Sequence, residues 1–298
     1  MSELSDAFTF TGSTNDMVTW CKSQHIPLHE GRQRYSGYAV LACFSTSKLL
    51  SQSLAFKGGN ALRFVYGNPR STTDLDFSVC STDILDSDEF LGGLINDAFR
   101  IAHQRFGMKM RCQSIKRNPK TLEHTFQTYQ IGVGYQFIGD RGYADFGKAP
   151  SNTSISIEIS FNDKVCDTIQ FRPLKSSPST ITVCSLMDIV AEKLRSLLQQ
   201  PIRNRNRHQD VFDLARIFRV HRNELDLEKV YFYFSLKCQA RSIVPTRRAF
   251  DETIRELAFA HYDRRIKEQA GDQYIPFQDA WTSVLELVNL LPEKDSES

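Results

Sequence analysis

The sequence predicts an α+β protein in which a domain of mixed strands and helices precedes a helical domain. Strand-like alternation is confined to the first part of the chain, and it is clearest in Ser-Ile-Ser-Ile-Glu-Ile-Ser-Phe at 154–161. After residue 184 the regular pattern is helical. The length of 298 residues fits two domains of about 100–200 residues each. We therefore expect domains 1–184 and 185–298.

Composition excludes several classes of protein. Hydrophobic residues make up 41% of the chain and charged residues 24%, which is ordinary for a globular domain. The longest apolar runs fall short of the roughly 18–20 residues that a membrane span requires, and the N-terminus has no signal-peptide pattern. The seven cysteines are odd in number and form no C-x-x-C, which disfavours a disulfide framework or a zinc ribbon. We expect a cytoplasmic protein with no membrane contact.

Basic residues are concentrated in two stretches, although the net charge is only +2. Arg100–Lys120 contains seven basic residues and no acidic one, and 193–222 contains eight against two aspartates, with Arg203–Arg207 as its densest part. Two such clusters can form a surface that binds nucleic-acid phosphates. Two solvated faces are an equally good explanation of the charge pattern alone.

Helices and strands are expected to alternate in the first domain. An apolar stripe predicts a helix over 38–56, which Gly58-Gly59 ends before a short helix over 60–66. The remaining elements are a strand over 75–80, a helix over 86–106, and strands over 109–115, 125–137 and 154–161.

The second domain opens with a helix start signal. Ser185 is a predicted N-cap, and Asp188 follows three residues later as a box-like partner. This helix runs to about Gln199, before Pro201 and the arginine-rich connection. Further helices are predicted over 210–220, 227–240, 247–269 and 279–290.

The most informative stretch combines a glycine turn with two aspartates. Asp74 and Asp76 flank Leu75, and residues two apart on a strand point to the same face. Two neighbouring carboxylates repel each other unless a cation binds between them, and Mg²⁺ takes carboxylate and phosphate oxygens. Gly58-Gly59 before a helix exposes backbone N–H groups that suit a triphosphate. Together they predict phosphoryl or nucleotidyl transfer.

These motifs resemble nucleotidyltransferases with the polymerase-β-like fold, and most closely the AbiEii/AbiGii-type toxin family. The family pattern is Lys-Gly-Gly-Thr-Ala-Leu, a spacer, and Arg-x-Ser-x-Asp-(Leu/Ile)-Asp-Phe. The chain has Lys57-Gly58-Gly59-Asn60-Ala61-Leu62 and then Arg70-Ser71-Thr72-Thr73-Asp74-Leu75-Asp76-Phe77. Asn60 replaces Thr or Ser, and Thr72 replaces Ser. Both substitutions keep a side chain that forms hydrogen bonds.

A second block of the chain extends the resemblance. The family carries Glu-Lys-Leu, a basic linker, and Arg-Asp-x-x-Asp-Leu. Here Glu192-Lys193-Leu194 precedes Gln209-Asp210-Val211-Phe212-Asp213-Leu214, with Gln209 in place of Arg. The resemblance implies that Lys193 contacts nucleotide phosphates and that Asp210 supports the active site. A capping role explains Asp210 equally well.

The resemblance implies a polymerase-β-like site in a mixed sheet with flanking helices, to which the C-terminal domain contributes Lys193 and Asp210. A third carboxylate is expected on a neighbouring strand. We assign it to Glu158, whose face is opposite to that of the isoleucines of 154–161, with Asp145 as the alternative and a solvent-facing Glu158 still open. Asp74, Asp76 and Glu158 would bind one or two Mg²⁺. The predicted nucleotide-binding residues are Lys57, Gly58, Gly59, Asn60, Arg70, Thr72 and Lys193, although Arg70 could simply brace the turn.

The implied activity is that of a toxin from a toxin–antitoxin or phage-defence system. It would transfer NMP from an NTP to an acceptor, the 3′ end of tRNA by analogy with the family, and a cognate antitoxin would neutralise it. The two basic clusters are compatible with an RNA acceptor. Three alternatives remain open at this stage: a small-molecule nucleotidyltransferase, a non-catalytic nucleotide-binding module and a metal-dependent nuclease.

Overall fold

The structure, a computed structural model, describes residues 14–292 except 24–25, 71, 82–86, 119–127 and 175. Its first helices are α1 (Thr14–Ser23), α2 (Leu28–Thr46) and α3 (Lys48–Ser53), and strand β1 (Leu54–Lys57) follows directly. The prediction of one helix over 38–56 is therefore wrong at both ends. Periodicity does not distinguish a short, fully buried apolar strand such as β1 from a buried turn of helix.

The glycine pair opens helix α4 (Gly58–Tyr66), which Gly67 ends in the left-handed conformation with a φ of 71°. Strand β2 (Leu75–Val79) forms where a strand was predicted. The single helix predicted over 86–106 is instead split into α5 (Asp88–Ala98) and α6 (Ala102–Phe106). Residue 86 lies outside the described part of the chain.

Five further strands follow. The three predicted ones are present as β3 (Met108–Asn118), β4 (Thr128–Phe137) and β5 (Ser154–Ser160), and the predicted start of β4 at 125 lies outside the described residues. The short strands β6 (Thr168–Phe171) and β7 (Ile181–Cys184) were not predicted.

Within the described residues the strands form one seven-stranded sheet in the order β3-β4-β5-β2-β1-β7-β6. The β1–β2, β3–β4 and β4–β5 pairs are antiparallel, and β2–β5 and β1–β7 are parallel. The sheet is mixed, as expected. Because β2 and β5 pair directly, two strands that are far apart in the sequence bring their polar residues side by side.

Strand alternation gives this sheet an apolar face and a polar face. Phe56, Phe77 and Ile157 on the apolar face are buried, and α2 and α4 cover this face through the Phe44–Phe77 and Phe56–Phe64 ring contacts. The hydrophobic core around the sheet lies on this side. Its burial leaves the polar side chains of the same strands on the opposite face.

The helical part begins at α7 (Leu186–Leu198), whose first turn is capped as predicted. Ser185 Oγ accepts from the backbone N–H of Asp188 at 3.2 Å. Asp188 does not complete a capping box. Its buried carboxylate accepts from the Cys166 N–H at 2.7 Å and forms an ion pair with Lys237 at 3.0 Å.

Up to residue 292, where the described part of the chain ends, six more helices follow α7: α8 (Gln200–Arg203), α9 (His208–His221), α10 (Leu227–Gln239), α11 (Glu252–Phe259), α12 (Tyr262–Ala270) and α13 (Phe277–Leu290). The predicted helix over 247–269 is wrong, because it is broken between α11 and α12, where His261 adopts a φ of 63°. The α+β fold class is confirmed by the mixed sheet and the helical residues after it. No helix in the described ranges is long and apolar enough to cross a membrane.

The contacts between residues divide the chain into two compact units. The first contains residues 1–67, 73–163 and 169–183, and the second contains 68–72, 164–168 and 184–298. The second unit therefore includes two short segments that the domain prediction assigned to 1–184. One of them, 68–72, carries Arg70 and Thr72.

Candidate active site

Asp76 and Glu158 lie side by side on the polar face of the sheet. Asp76 is opposite Glu158 in the parallel β2–β5 ladder, and both residues are half-buried. Asp74 lies just before β2 and is exposed. We call these three residues the carboxylate site. Two like charges on adjacent strands repel each other, so this position favours a cation.

Gly58 at the start of α4 lies directly against Asp76. It adopts a φ of 74°, in the left-handed region that favours glycine. A Cβ at this position would collide with Asp76 Oδ2 and would fall 2.9 Å from its Cγ. The first turn of α4, with its outward N–H groups, is thus brought next to a carboxylate. The glycine motif and the aspartate motif meet because only glycine fits here.

Asn60 holds the loop that carries Asp74. It is 4% exposed, and its Nδ2 donates to the main-chain oxygen of Asp74 at 2.7 Å. This contact fixes the position of the backbone just before β2. The observed role of Asn60 is structural, and its predicted contact with a phosphate stays a prediction, as does that of Gly59.

Lys57 ends β1 opposite Asp76. Its Nζ forms an ion pair with Asp163 and also donates to Ser160 Oγ at 3.3 Å. The ammonium group thus contacts Ser160 at the end of β5 and Asp163 beyond that strand. Nucleotide binding by Lys57 stays a prediction. Asp145, the alternative third carboxylate, lies on the connection after β4, where it pairs with Lys148 at 2.7 Å.

The donor chemistry of the carboxylate site fits Mg²⁺. Among the described residues, no three His, Cys, Asp or Glu side chains converge tightly enough to enclose a metal. Mg²⁺ does not need such a cage, because it is usually held by one or two carboxylates together with substrate phosphates and water. Asp76 and Glu158 next to the N-terminus of α4 supply carboxylates and a phosphate position.

The second unit contains four buried charged residues and one buried amide, which we call the charge cluster: Arg70, Lys193, Asp210, Asp213 and Asn68. Asp213 is fully buried and contacts three other members of the cluster, Asn68, Arg70 and Lys193. Arg70 donates to both Asp213 oxygens, from Nε at 2.9 Å and from Nη2 at 2.7 Å. Asn68 Nδ2 adds a third hydrogen bond at 2.9 Å. Arg70 is thus held against Asp213 on α9, and its two predicted roles, nucleotide binding and bracing of its turn, stay predictions.

Lys193 and Asp210 belong to the same cluster. Lys193 is 6% exposed, and its Nζ donates to Asp210 Oδ1 at 2.7 Å and to Asp213 Oδ2 at 2.8 Å. Burial alone would lower the pKa of Lys193, but the charges of Asp210 and Asp213 outweigh it and raise this pKa. Burial would likewise raise the pKa of Asp213, yet Arg70 and Lys193 hold it well below its usual range. Lys193 and Asp213 therefore stay ionised at neutral pH.

The predicted basic clusters are largely occupied by structural contacts. Lys109 donates to the main-chain oxygen of Tyr143 at 2.9 Å, Arg111 donates to those of Gly147 and Ala149, and Arg117 pairs with Asp88. In the second cluster Arg207 lies 3.7 Å from Asp210. The exposed side chains that remain include Arg105, Lys116 and Arg205.

Sequence reasoning missed Asn68 and Asp213 as members of the charge cluster. A signal was present for Asp213, because Asp210 and Asp213 are three residues apart and share one face of α9. No local pattern identifies Asn68, which acts through a contact between residues 145 positions apart in the chain. Thr72 is half-buried, and its predicted role stays a prediction.

Residues 40–285 match the profile of a protein family described as the nucleotidyl transferase AbiEii toxin of type IV toxin–antitoxin systems. Two similar solved structures are JHP933 from Helicobacter pylori and MenT4, a nucleotidyltransferase toxin from Mycobacterium tuberculosis H37Rv. JHP933 is 13% identical with a TM-score of 0.47, covering 85% of this chain and 87% of the other. MenT4 is 17% identical with a TM-score of 0.44, covering 89% and 94%. A comparison with curated proteins gave no match.

Proposed function

This chain belongs to the AbiEii family of nucleotidyltransferase toxins of type IV toxin–antitoxin systems, and on that premise we propose that it transfers NMP from an NTP to the 3′ end of tRNA with Mg²⁺ as its cofactor. The family implies nucleotidyl transfer, an NTP substrate and a cognate antitoxin. The tRNA acceptor, the metal and a cytoplasmic site of action are our proposal. Blocking the 3′ end of tRNA would stop translation.

The contact between Gly58 and Asp76 is the observation that supports this function best. It joins the two parts that nucleotidyl transfer needs, a helix N-terminus for phosphates and carboxylates for a cation. Glu158, beside Asp76 in the ladder, completes the carboxylate site. A nuclease has no triphosphate to hold, so the glycine turn favours transfer over hydrolysis.

Each residue has a defined task in this proposal. Bound Mg²⁺ would offset the charge of the triphosphate and of the reacting phosphate. Asp76 and Glu158 provide its carboxylate ligands, and Asn60 fixes the backbone that carries Asp74. The N–H groups of Gly58 and Gly59 bind phosphate oxygens. An acceptor hydroxyl attacks the α-phosphorus, and pyrophosphate leaves. The roles of Lys193 and Asp210 in this reaction stay predictions from the resemblance.

The test is incorporation of each labelled NTP into total tRNA with and without Mg²⁺, using wild type and single variants. We expect Asp76→Ala and Glu158→Ala to lose at least about 100-fold in transfer rate. Asp145→Ala removes an exposed carboxylate that pairs only with its neighbour Lys148 within the described residues, and it should keep wild-type activity.

Three results would contradict the proposal in different ways. Full activity of Asp76→Ala or Glu158→Ala would show that the reaction does not need the carboxylate site. Loss of activity in Asp145→Ala would assign the third carboxylate to that residue. Label that appears on a small hydroxyl compound, but on no tRNA, would show that the acceptor is a small molecule and not RNA.

A further inference from the structure

The polar face of the sheet extends well beyond the carboxylate site. Every second residue of β4 and β5 faces away from the apolar core, and β3 does the same on either side of an irregularity between Cys112 and Ser114. Exposed or half-buried polar side chains and glycines occupy this face: Ser114, Lys116, Asn118, Thr128, Gln130, Gly132, Ser154, Ser156 and Glu158. An open sheet face of this kind is a surface that a substrate can reach.

Strand register joins this surface to the carboxylate site in one straight row. Asp76 is opposite Glu158, Glu158 is opposite Gln130, and Gln130 is opposite Lys116. Neighbouring strands lie about 4.8 Å apart, so the row from Asp76 to Lys116 spans roughly 14 Å. An extended strand bound at the carboxylates can follow this row to the edge of the sheet.

The charge of β3 and β4 suits a polyanion. These two strands contain four cations and no acidic residue. Lys109 and Arg111 are bound to the connection that follows β4, and Arg117 lies on the opposite face, where it covers Tyr129. Lys116 is the exposed cation that remains on the polar face of these strands. It marks the end of the row that is farthest from Asp76.

The residues beside the row are small. Gly132 of β4 lies between Ser114 and Ser156, and a Cβ on Gly132 would fall 2.7 Å from Ser114 Oγ. The described polar-face positions of β3, β4 and β5 carry no aromatic ring. Base-stacking platforms depend on aromatic side chains, whereas hydroxyl, amide and ammonium groups contact phosphate and sugar. The surface therefore suits the backbone of a strand better than its bases.

We propose that Glu158, Gln130 and Lys116, with Gly132 and Ser156 beside them, form the acceptor track on which the 3′ strand of an RNA lies. The reactive end is at the carboxylate site, and Lys116 binds a backbone phosphate upstream. This inference rests on the proposed function, because it assigns the acceptor surface for the same reaction. It also predicts that the chain selects its acceptor by strand and phosphate rather than by base.

The first experiment compares Lys116→Ala with Arg105→Ala in full-length protein. Arg105 is an exposed cation from the same basic stretch, but it lies on α6, outside the sheet. RNA affinity is measured at several salt concentrations, and NTP affinity is measured separately. Loss of one phosphate contact to a single strand lowers the slope of log K against log salt by about 0.7. We expect this change in Lys116→Ala alone, with NTP affinity unchanged in both variants.

The second experiment blocks the track without changing charge. Ser156 is exposed on β5 beside Gly132, and Ser156→Tyr places a bulky residue that strands accept there. We expect KM for RNA to rise at least about 10-fold while NTP affinity and thermal stability stay at wild-type values. Ser23 is an exposed serine at the end of α1, outside the sheet, and Ser23→Tyr is the matched control.

The outcomes separate this inference from the proposed function. If wild type labels no RNA, the proposed function fails, and the acceptor track with it. If wild type labels RNA but Lys116→Ala keeps the wild-type salt slope, or Ser156→Tyr keeps the wild-type KM, the track is wrong and the nucleotidyltransferase assignment is untouched. An equal loss in Arg105→Ala would show a general charge effect and would also overturn the track.

Discussion

Charged residues have opposite environments in the two units of this protein. In the charge cluster each buried charge has a counter-charge, and Asp213 accepts hydrogen bonds from Arg70, Lys193 and Asn68. In the carboxylate site two like charges are adjacent on the sheet and remain accessible to solvent. A buried network of paired charges fixes a conformation, whereas an accessible pair of like charges stores repulsion that a cation relieves. This difference is what we expect between structural charges and the charges of the proposed active site.

The largest difference in stability is expected when one carboxylate is removed from each unit. Asp213→Ala removes the carboxylate that Arg70 and Lys193 share and leaves Lys193 with Asp210 as its partner. We expect the free energy of unfolding to fall by about 3–5 kcal/mol. Glu158→Ala relieves repulsion and should change it by less than about 0.5 kcal/mol. Urea unfolding followed by circular dichroism measures both values. Equal losses in the two variants would show that the carboxylate site is a structural network as well.

Two glycines with the same backbone conformation provide the next test. Gly58 and Gly67 have φ values of 74° and 71°, but a Cβ on Gly67 has no atom within 4 Å, while one on Gly58 collides with Asp76. Alanine in this conformation costs about 1–2 kcal/mol at either position. Gly58→Ala should cost a further 1–3 kcal/mol or so through overpacking, and it should also lose transfer activity, because Asp76 must move.

Stability and transfer rate are measured on both glycine variants. A Gly58→Ala variant no less active than Gly67→Ala would mean that the contact with Asp76 is not needed for the reaction. It would also remove the observation that best supports the proposed function.

The same comparison shows what the sequence can predict. The sequence predicts the glycine turn, the paired aspartates and Glu158 as a candidate site because each belongs to a local pattern, a breaker before a helix or a residue on an alternating strand. The structure brings Gly58, Asp76 and Glu158 together. Strand β1 was missed because a buried apolar run has no distinguishing period. Asn68 and Asp213 were not recognised as partners because their contact depends on tertiary structure. The residues of the candidate site were thus easier to select from the sequence than the partners within the charge cluster of the second unit.

The pH dependence of stability should reflect the charge cluster. The folded pKa of Asp213 lies below its unfolded value, so its contribution is present above pH ~4 and is lost as the pH falls through the folded pKa. Lys193 has a raised pKa, so its contribution is present below pH ~10.4 and is lost as the pH rises through the folded value. A single paired carboxyl contributes on the order of 2 kcal/mol in this way.

We therefore expect the stability difference between wild type and Asp213→Asn to be constant from pH 5 to 9, and to shrink below about pH 4. Unfolding free energies at pH 7, 5, 4 and 3 measure this difference. The exposed Asp145→Asn is the control, and its difference from wild type should stay near zero throughout. A difference for Asp213→Asn that is as large at pH 3 as at pH 7 would contradict the ion pairing.

The smallest expected difference in stability is between variants of two asparagines, one in each unit, that both donate a hydrogen bond from a buried side chain. Asn68 and Asn60 are both buried, and each donates from Nδ2, Asn68 to the carboxylate of Asp213 and Asn60 to the main-chain oxygen of Asp74. Hydrogen bonds to charged groups contribute about 1.5–3 kcal/mol and neutral ones about 0.5–1.5 kcal/mol. Asn68→Ala should therefore destabilise the protein by roughly 1 kcal/mol more than Asn60→Ala.

Transfer activity should rank the two asparagine variants in the reverse order. Asn60 holds the backbone of Asp74, and a small displacement of a reacting group costs far more rate than stability. Asn60→Ala should lose more activity than Asn68→Ala when both are assayed well below their unfolding temperatures. If the variant that is less stable is also the less active, stability alone explains both effects. The contrast between structural charges in the second unit and the proposed catalytic charges in the first unit would then not extend to Asn68 and Asn60.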